Sequence, residues 1–564
     1  MTRPTLAPFL DPSSVAVIGA SRDPSKVGGS VLANLRAARF AGRILPINAH
    51  ADMVQGIRSA PSILAVEGTV DLAVITVPAP AVLPALKECV AKGVAGAVVI
   101  SAGFREAGEA GRTREAELRA WLRDQPIRVL GPNCLGWIRP SRGLNLTFAP
   151  GMPEPGGIAF VSHSGALAVA ILDWARERRM GFSLFASLGN QADITEADVL
   201  DAVAADTETR VIAGYIEGVA DGRRFFEALC AAAAVKPVVL LKTGRSAEGA
   251  RAVSSHTGAL AGSDRAFDAA VKQAGALRVG TVEELFDVAR GLTGQPLPRG
   301  RRLLVVTNGG GLGIVATDAA RDAGLEVAPL EAPVRDRLAA VLPPTASLAN
   351  PVDLVGDADA TRYSHALHAI GGAAADAALV MLTAQAATDP LGVARAVIVA
   401  TRGWTIPVAA AFVGGARVAP GVRALEEAGI PCYPFPEPAV RTLAGMARLW
   451  ARRVRRAEPA RPVVRGDAAA AAVAGLRATG LSTLGMSELE TVLTSYGIAV
   501  LPSQAVETAA EAASGQGALA GDDPGSAVRS HGRGRLRRDL RRDSQGHGRA
   551  TLSPRPMRGP RHAR

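Results

Sequence analysis

Three times before residue 455 a short β-branched run ends in a turn of small residues and opens onto a helical stretch. The three openings are "SVAVIGASRDPSKVGGSVLANLRAARF", "GGIAFVSHSGALAVAILDWARER" and "RRLLVVTNGGGLGIVATDAARDAG". Further short runs follow each one, among them "VDLAVITVP", "AGAVVISAG", "RVIAGYIEG", "KPVVLLKTG", "AALVMLTAQ" and "IPVAAAFVGG", separated by amphipathic stretches. Such runs are too short for helices, and strands alternating with helices predict parallel, doubly wound α/β sheets.

At 564 residues the chain exceeds one core. The restarts divide it into domains at 1–143, 144–294 and 298–455, the last following the linker "GQPLPRGRR". A charged, Ala-rich linker is expected over 456–480, a new module over 481–513, and a basic, disordered tail over 514–564. No apolar run reaches the ~18 residues of a membrane span. The start lacks the charged and long apolar regions of a secretory signal. Four scattered cysteines without a CxxC pair suit a reduced, cytoplasmic protein, and no metal site is expected. The net charge of +11 is concentrated in 515–564, where twelve Arg face four Asp. The body is near neutral and does not imply a nucleic-acid partner.

The turn "VIGASRDPSKVGG" places Gly19, Ser21 and Lys26 between a first strand and a helix N-terminus, where backbone N–H groups suit a phosphate-bearing nucleotide. It does not spell G-x-G-x-x-G, and the second strand, "RILPINAH", lacks the acidic residue that holds a ribose. Both points argue against a nicotinamide enzyme. In "FVSHSGALAVA", Ser162 and Ser164 bring two hydroxyls to a helix start near Gly165, an anion site in outline. Asn308, Gly309 and Gly310 open the third domain's first helix in the same way.

His256 stands among small residues in "SSHTGALAG". An imidazole can accept a phosphoryl group if one nitrogen is free and the other is held by an acceptor. Glu217, ending the strand of "GYIEG", is a candidate acceptor. His50, His163, His365 and His368 lack this combination.

From about Leu10 to about Ala513 the chain resembles the NDP-forming (ADP-forming) acyl-CoA synthetases, relatives of succinyl-CoA synthetase. The motifs are "VAVIGAS", "ISAGFREAG", "GPNCLG", "SHSGAL", "SLGNQAD", "YIEG", "SSHTGALAGSD", "TNGGGLG", "LANPVDL" and "MSELETVLTSYGI". The resemblance implies a CoA-binding Rossmann-like domain, two flavodoxin-like succinyl-CoA-ligase domains and the start of an ATP-grasp module. The implied reaction joins a small carboxylic acid to CoA with conversion of ATP to ADP and phosphate, through an acyl phosphate and a phosphohistidine. His256 would carry the phosphoryl group and Glu217 would orient it. Ser162, Ser164, Gly165, Asn308, Gly309 and Gly310 would cradle the phosphate. Gly19, Ser21, Lys26, Asn48, Val77, Pro78 and Ser101 would hold CoA, with Asn133 where the thioester forms. His163 departs from the family, which often carries Gln there.

An ATP-grasp module takes roughly 200 residues, whereas the recognisable part stops after roughly 35. Its Arg-, Gly-, Pro- and Ser-rich continuation reads as out-of-frame GC-rich codons, as the end of a two-chain enzyme's first chain, or as a basic nucleic-acid-binding tail, against which stands its lack of aromatics to stack on bases. ATP with Mg²⁺ therefore enters only with a complete ATP-grasp module, such as a separate subunit. An oligomer is expected. The alternative is a non-catalytic CoA-binding protein, which would have no use for His256 and Glu217.

Overall fold

Strand β1 (Ser14–Ile18) is buried at every position, as expected of a parallel strand covered by helices on both faces. The computed structural model describes residues 5–246, 248–249, 251, 263–386, 388–457, 467–478, 486–496 and 498–500. His256 lies outside these residues. After β1 come β2 (Arg43–Ile47), a small hairpin of β3 (Met53–Val54) and β4 (Ile57–Arg58), then β5 (Leu72–Ile75), β6 (Gly96–Val99) and β7 (Arg128–Leu130). The first sheet has the order β2-β1-β5-β6-β7, and Ile18 lies between Ile47 and Ile75.

The chain then forms β8 (Gly136–Arg139), β9 (Leu144–Asn145), β10 (Glu154–Ser162), β11 (Gly181–Ser187), β12 (Val211–Ile216), β13 (Val238–Lys242) and β14 (Leu277–Val279). Their order is β14-β13-β12-β10-β11-β8-β9. The third sheet, β16-β15-β17-β18-β19, uses β15 (Leu303–Thr307), β16 (Val352–Asp353), β17 (Ala377–Thr383), β18 (Val408–Val413) and β19 (Cys432–Tyr433). Each sheet sets its opening parallel strand between its second and third, the doubly wound arrangement expected.

One boundary differs from the sequence expectation. Residues 136–145, assigned above mostly to the first domain, belong to the second sheet, where β8 runs antiparallel to β11 with Gly136 opposite Ser187. The chain reverses through positive φ at Gly131, Asn133 and Gly136, and the strands that follow are too short to show alternation. Trp137 then packs on Phe9 with ring centroids 5.5 Å apart. Phe9, Leu32, Trp137, Leu184 and Leu200 share one buried cluster, so the first two domains have a continuous core. Phe160, Phe286, Leu303 and Leu443 share another, which joins the second and third. Helix Pro436–Ala457 reinforces that seam by packing on helices Val282–Gly294 and Gly310–Ala323.

No helix among the described residues is long and apolar enough to cross a membrane. A separate unit begins at Arg461. Its helix Asp467–Ala478 occupies part of the expected linker, because the alanine run that reads as a spacer is also a strong helix former. Helix Met486–Ser495 falls within the stretch expected above to open an ATP-grasp module, whereas the basic tail lies outside the described residues.

Candidate functional site

Ligands of doubly wound sheets bind beyond the carboxyl ends of the strands. A cavity of about 780 Å³ lies there in the first sheet, facing the start of helix Gly165–Glu177 from the second domain. Val77 and Pro78 follow β5, Ser101 follows β6, and Asn133 follows β7; Ser164 and Gly165 close the opposite side. Six residues singled out from four separate stretches of sequence thus line one chamber. Ser101 Oγ donates to the Val77 carbonyl (2.5 Å). Asn133 donates its backbone N–H to Ser101 O (3.0 Å) and its amide to Asn190 Oδ1 (3.3 Å).

Gly19, Ser21, Lys26 and Asn48 build the adjoining β1 turn rather than the cavity wall. Gly19 has φ +90°, and a Cβ on it would stand 2.7 Å from Thr76 Oγ1. Ser21 Oγ accepts from the Asp23 N–H (3.1 Å), and Asn48 donates to Ala20 O (2.8 Å). Lys26 caps helix Val27–Ala37 and is exposed, and Val27 beside it reaches the cavity.

The two serines have different tasks. Ser162 is fully buried; its Oγ accepts from the Ser164 N–H (3.1 Å) and donates to the Ser164 carbonyl (2.9 Å). Ser164 caps the helix by accepting from Leu167 N (3.3 Å). Both hydroxyls therefore shape the loop, and the first-turn N–H groups, which have no intrahelical partner, are what this loop can offer an anion. Thr307 repeats the device on Gly309. The side chain of Asn308 is engaged elsewhere. Its buried amide accepts from Thr383 N (2.8 Å) and donates to Thr383 O (3.0 Å), clamping β15 to β17. Asn308, Gly309 and Gly310 do not line this cavity.

Glu217 is buried beyond the end of β12, and its backbone N–H donates to His163 Nδ1 (3.3 Å). His163 lines the cavity, with Nε2 3.5 Å from the Glu196 carboxylate. Its Nε2 also lies 3.2 Å from the Gln191 side-chain amide. Lys242 donates to the Glu217 carbonyl (2.8 Å), and burial pushes its ammonium below the ordinary lysine range. No cluster of three or more His, Cys, Asp or Glu able to hold a metal occurs among the described residues.

Residues 13–140 match the family described as CoA binding domain, 155–292 the succinyl-CoA ligase like flavodoxin domain, and 303–458 the Ligase-CoA domain. The acetate–CoA ligase [ADP-forming] I subunit alpha of Pyrococcus furiosus is 40% identical over 461 residues, which cover 79% of this chain and 98% of that subunit. The chain belongs to the ADP-forming acyl-CoA synthetases. The acetate–CoA ligase [ADP-forming] I of Archaeoglobus fulgidus is 41% identical over 438 residues, but the match covers only 62% of that protein. Among solved structures, the dinucleotide forming acetyl-coenzyme A synthetase 1 of Ca. Korarchaeum cryptofilum, in complex with phosphate and ADP, superposes with a TM-score of 0.77 at 38% identity. It covers 81% of this chain and 99% of that one.

This synthetase also has a charged seam beside the cavity that sequence reasoning missed. Asn190 donates to Glu106 (2.7 Å) and Glu115 (2.8 Å), and Arg119 donates to the carbonyls of Asn190 (3.2 Å) and Gln191 (2.9 Å). Burial works to raise the Glu106 carboxyl, but hydrogen bonds from Asn190, Phe104 and Gly103 outweigh it and hold the group below the usual range. The signal was present in "FREAG" and "GNQAD", motifs rich in polar groups yet read only as family markers.

Proposed function

We propose that the chain is the CoA-binding and phosphohistidine part of an acyl-CoA synthetase converting carboxylate, ATP and CoA to acyl-CoA, ADP and phosphate. One observation carries this reading. The strand ends of the CoA-binding domain and the start of helix Gly165–Glu177 wall a single chamber of about 780 Å³, within the range of ligand pockets. A thiol and an anionic group can therefore meet there. Gly19, at φ +90°, shapes the β1 turn for the nucleotide end of CoA, Gly28 lets helix Val27–Ala37 approach that turn, and Val77, Pro78, Ser101 and Asn133 line the path of the thiol arm. The helix start at Gly165 supplies preorganised N–H dipoles for the phosphate that leaves as the thioester forms.

His256 is the phosphoryl carrier in this scheme, Glu217 its orienting acceptor, and the glycine-led start at Gly310 a second source of donors. ATP with Mg²⁺ is handled by an ATP-grasp partner subunit, in a cytoplasmic oligomer. The test is His256→Asn in the full chain reconstituted with such a partner. Acyl-CoA formation is expected to vanish while CoA binding remains; loss of both, or of neither, refutes the roles assigned. The wild-type chain with labelled ATP alone should acquire no label.

A further inference from the structure

Among the residues lining the cavity, Arg105 is the one permanently cationic side chain. Its neighbour Glu106 is fully engaged, accepting from Gly103 N (2.6 Å), Phe104 N (3.0 Å) and Asn190 Nδ2 (2.7 Å). The guanidinium of Arg105 is not. Its nearest carboxylate, Glu115, lies 3.6 Å from Nη1, beyond hydrogen-bonding distance. Glu115 already accepts from Arg119 Nε (3.3 Å), Asn190 Nδ2 (2.8 Å) and the backbone N–H of Arg105 itself (3.2 Å). Arg105 Nε is buried and makes no hydrogen bond among the described residues. The side chain is 23% exposed, so the outer donors of its planar fork face the cavity, and a guanidinium partly withdrawn from water with so few acceptors is suited to an anion that completes it. Burial accordingly pulls this group below the ordinary arginine range, against the attraction of Glu115.

The position indicates which anion. In a sheet ordered β2-β1-β5-β6-β7, the topological switch lies between β1 and β5, where a nucleotide's phosphates dock. Arg105 comes after β6, beside Asn190, which in turn holds Asn133 beyond β7 (3.3 Å). It therefore stands on the side of the chamber where the acyl group meets the thiol. We propose that Arg105 binds the oxyanion of the acid substrate, first as carboxylate and then as the phosphoryl group of the acyl phosphate. The assignment rests on the function proposed above and adds the group that recognises the acid.

The test is calorimetric titration of acetyl phosphate and of acetate into the full chain saturated with desulfo-CoA and carrying His256→Asn, so that neither thioester nor phosphohistidine forms, with Arg105 intact (the wild-type arm) and with Arg105→Gln or Arg105→Lys. Acetyl phosphate is expected to bind at least about tenfold more weakly to Arg105→Gln. Arg105→Lys should recover part of the loss, because it keeps the charge without the fork. Desulfo-CoA affinity should stay within about twofold in both variants. Unchanged acetyl phosphate affinity in Arg105→Gln overturns the proposal. So does a selective loss of desulfo-CoA, which would put the guanidinium on the phosphates of CoA. Should Arg105→Gln lose both ligands and melt early, Arg105→Lys decides: acetyl phosphate weakened alone supports the assignment, and both ligands lost overturns it. A wild-type chain that binds desulfo-CoA but neither acetyl phosphate nor acetate refutes the functional reading itself.

Discussion

Replacing Gly28 by alanine tests whether the first domain's turn is built as tightly as its function requires. A Cβ at Gly28 would stand 2.1 Å from the Gly19 carbonyl oxygen and 2.7 Å from Thr76 Oγ1. The first obstacle is backbone at the end of β1, so helix Val27–Ala37 must retreat by about 1 Å to reach van der Waals distance. That helix carries Val31, Leu32 and Leu35, all fully buried, and its retreat would loosen their packing. Strain of this kind costs about 1–3 kcal/mol. The same movement displaces Val27 and Thr76 on the cavity wall, so CoA should bind about fivefold more weakly, roughly 1 kcal/mol. Gly222→Ala is the matched control. No heavy atom lies within 4 Å of its Cβ position in the first turn of helix Gly222–Val235, and a gain of about 0.4–1 kcal/mol is expected there. Thermal melting and CoA titration of the two variants should move in opposite directions or diverge clearly. A Gly28→Ala protein that melts and binds CoA like Gly222→Ala would refute the close approach of helix and turn.

Asn308→Ala removes both hydrogen bonds to Thr383 and leaves half-buried backbone groups without these partners, so denaturant unfolding should show a loss of about 1–2 kcal/mol. Asp287 offers a pH test. Burial raises its carboxyl to about 6, opposed by Arg290 at 3.7 Å. The folded state therefore binds this proton more tightly than the unfolded chain does. Its stabilising contribution is complete below about pH 4 and is lost as pH rises through about 6. Asp287→Asn should gain stability relative to wild type across that window, by about 1–3 kcal/mol at pH 7, read from urea midpoints between pH 4 and 7. A flat difference across that range would refute the burial of this charge.

The three sheets were legible because fully buried parallel strands such as "SVAVI" and "LLVVT" carry unbroken apolar runs, and their helices follow at once. Partnerships over long sequence distances were not. Asn308 before a glycine run reads as a hand for phosphate, yet its partner Thr383 lies 75 residues on. His163 was set aside because its surroundings in sequence lack the combination found around His256. Its Nδ1 receives the N–H of Glu217, 54 residues away, and so touches the very residue singled out as an acceptor. The serine pair was legible as the opening of a helix, but the local hydrogen bonds that commit both hydroxyls could not be read from residue types alone. Strands β8 and β9 went unnoticed because two to four residues show no period.

That unnoticed excursion explains why the chamber exists. Two doubly wound domains joined by a loose linker would each carry an open crevice, and nothing would set the strand ends of one against the helix start of the other. Here β7 passes through Asn133 directly into β8, and β8 adds to the second sheet beside β11. Leu135 donates its N–H to Ser187 Oγ at 3.2 Å. Gly189 comes so near that a Cβ on it would stand 2.3 Å from the Pro132 carbonyl. Backbone therefore meets backbone across the seam, and Asn190 carries the contact on to Glu106 and Glu115. The third domain, joined to the second by helix packing, has no such strand exchange with the first among the described residues, and its Gly310 helix start lies off this chamber. Backbone contact across the domain boundary thus lies at the wall of the chamber where, in the function proposed, thiol and acyl group would meet, and that placement follows from a strand crossing the boundary.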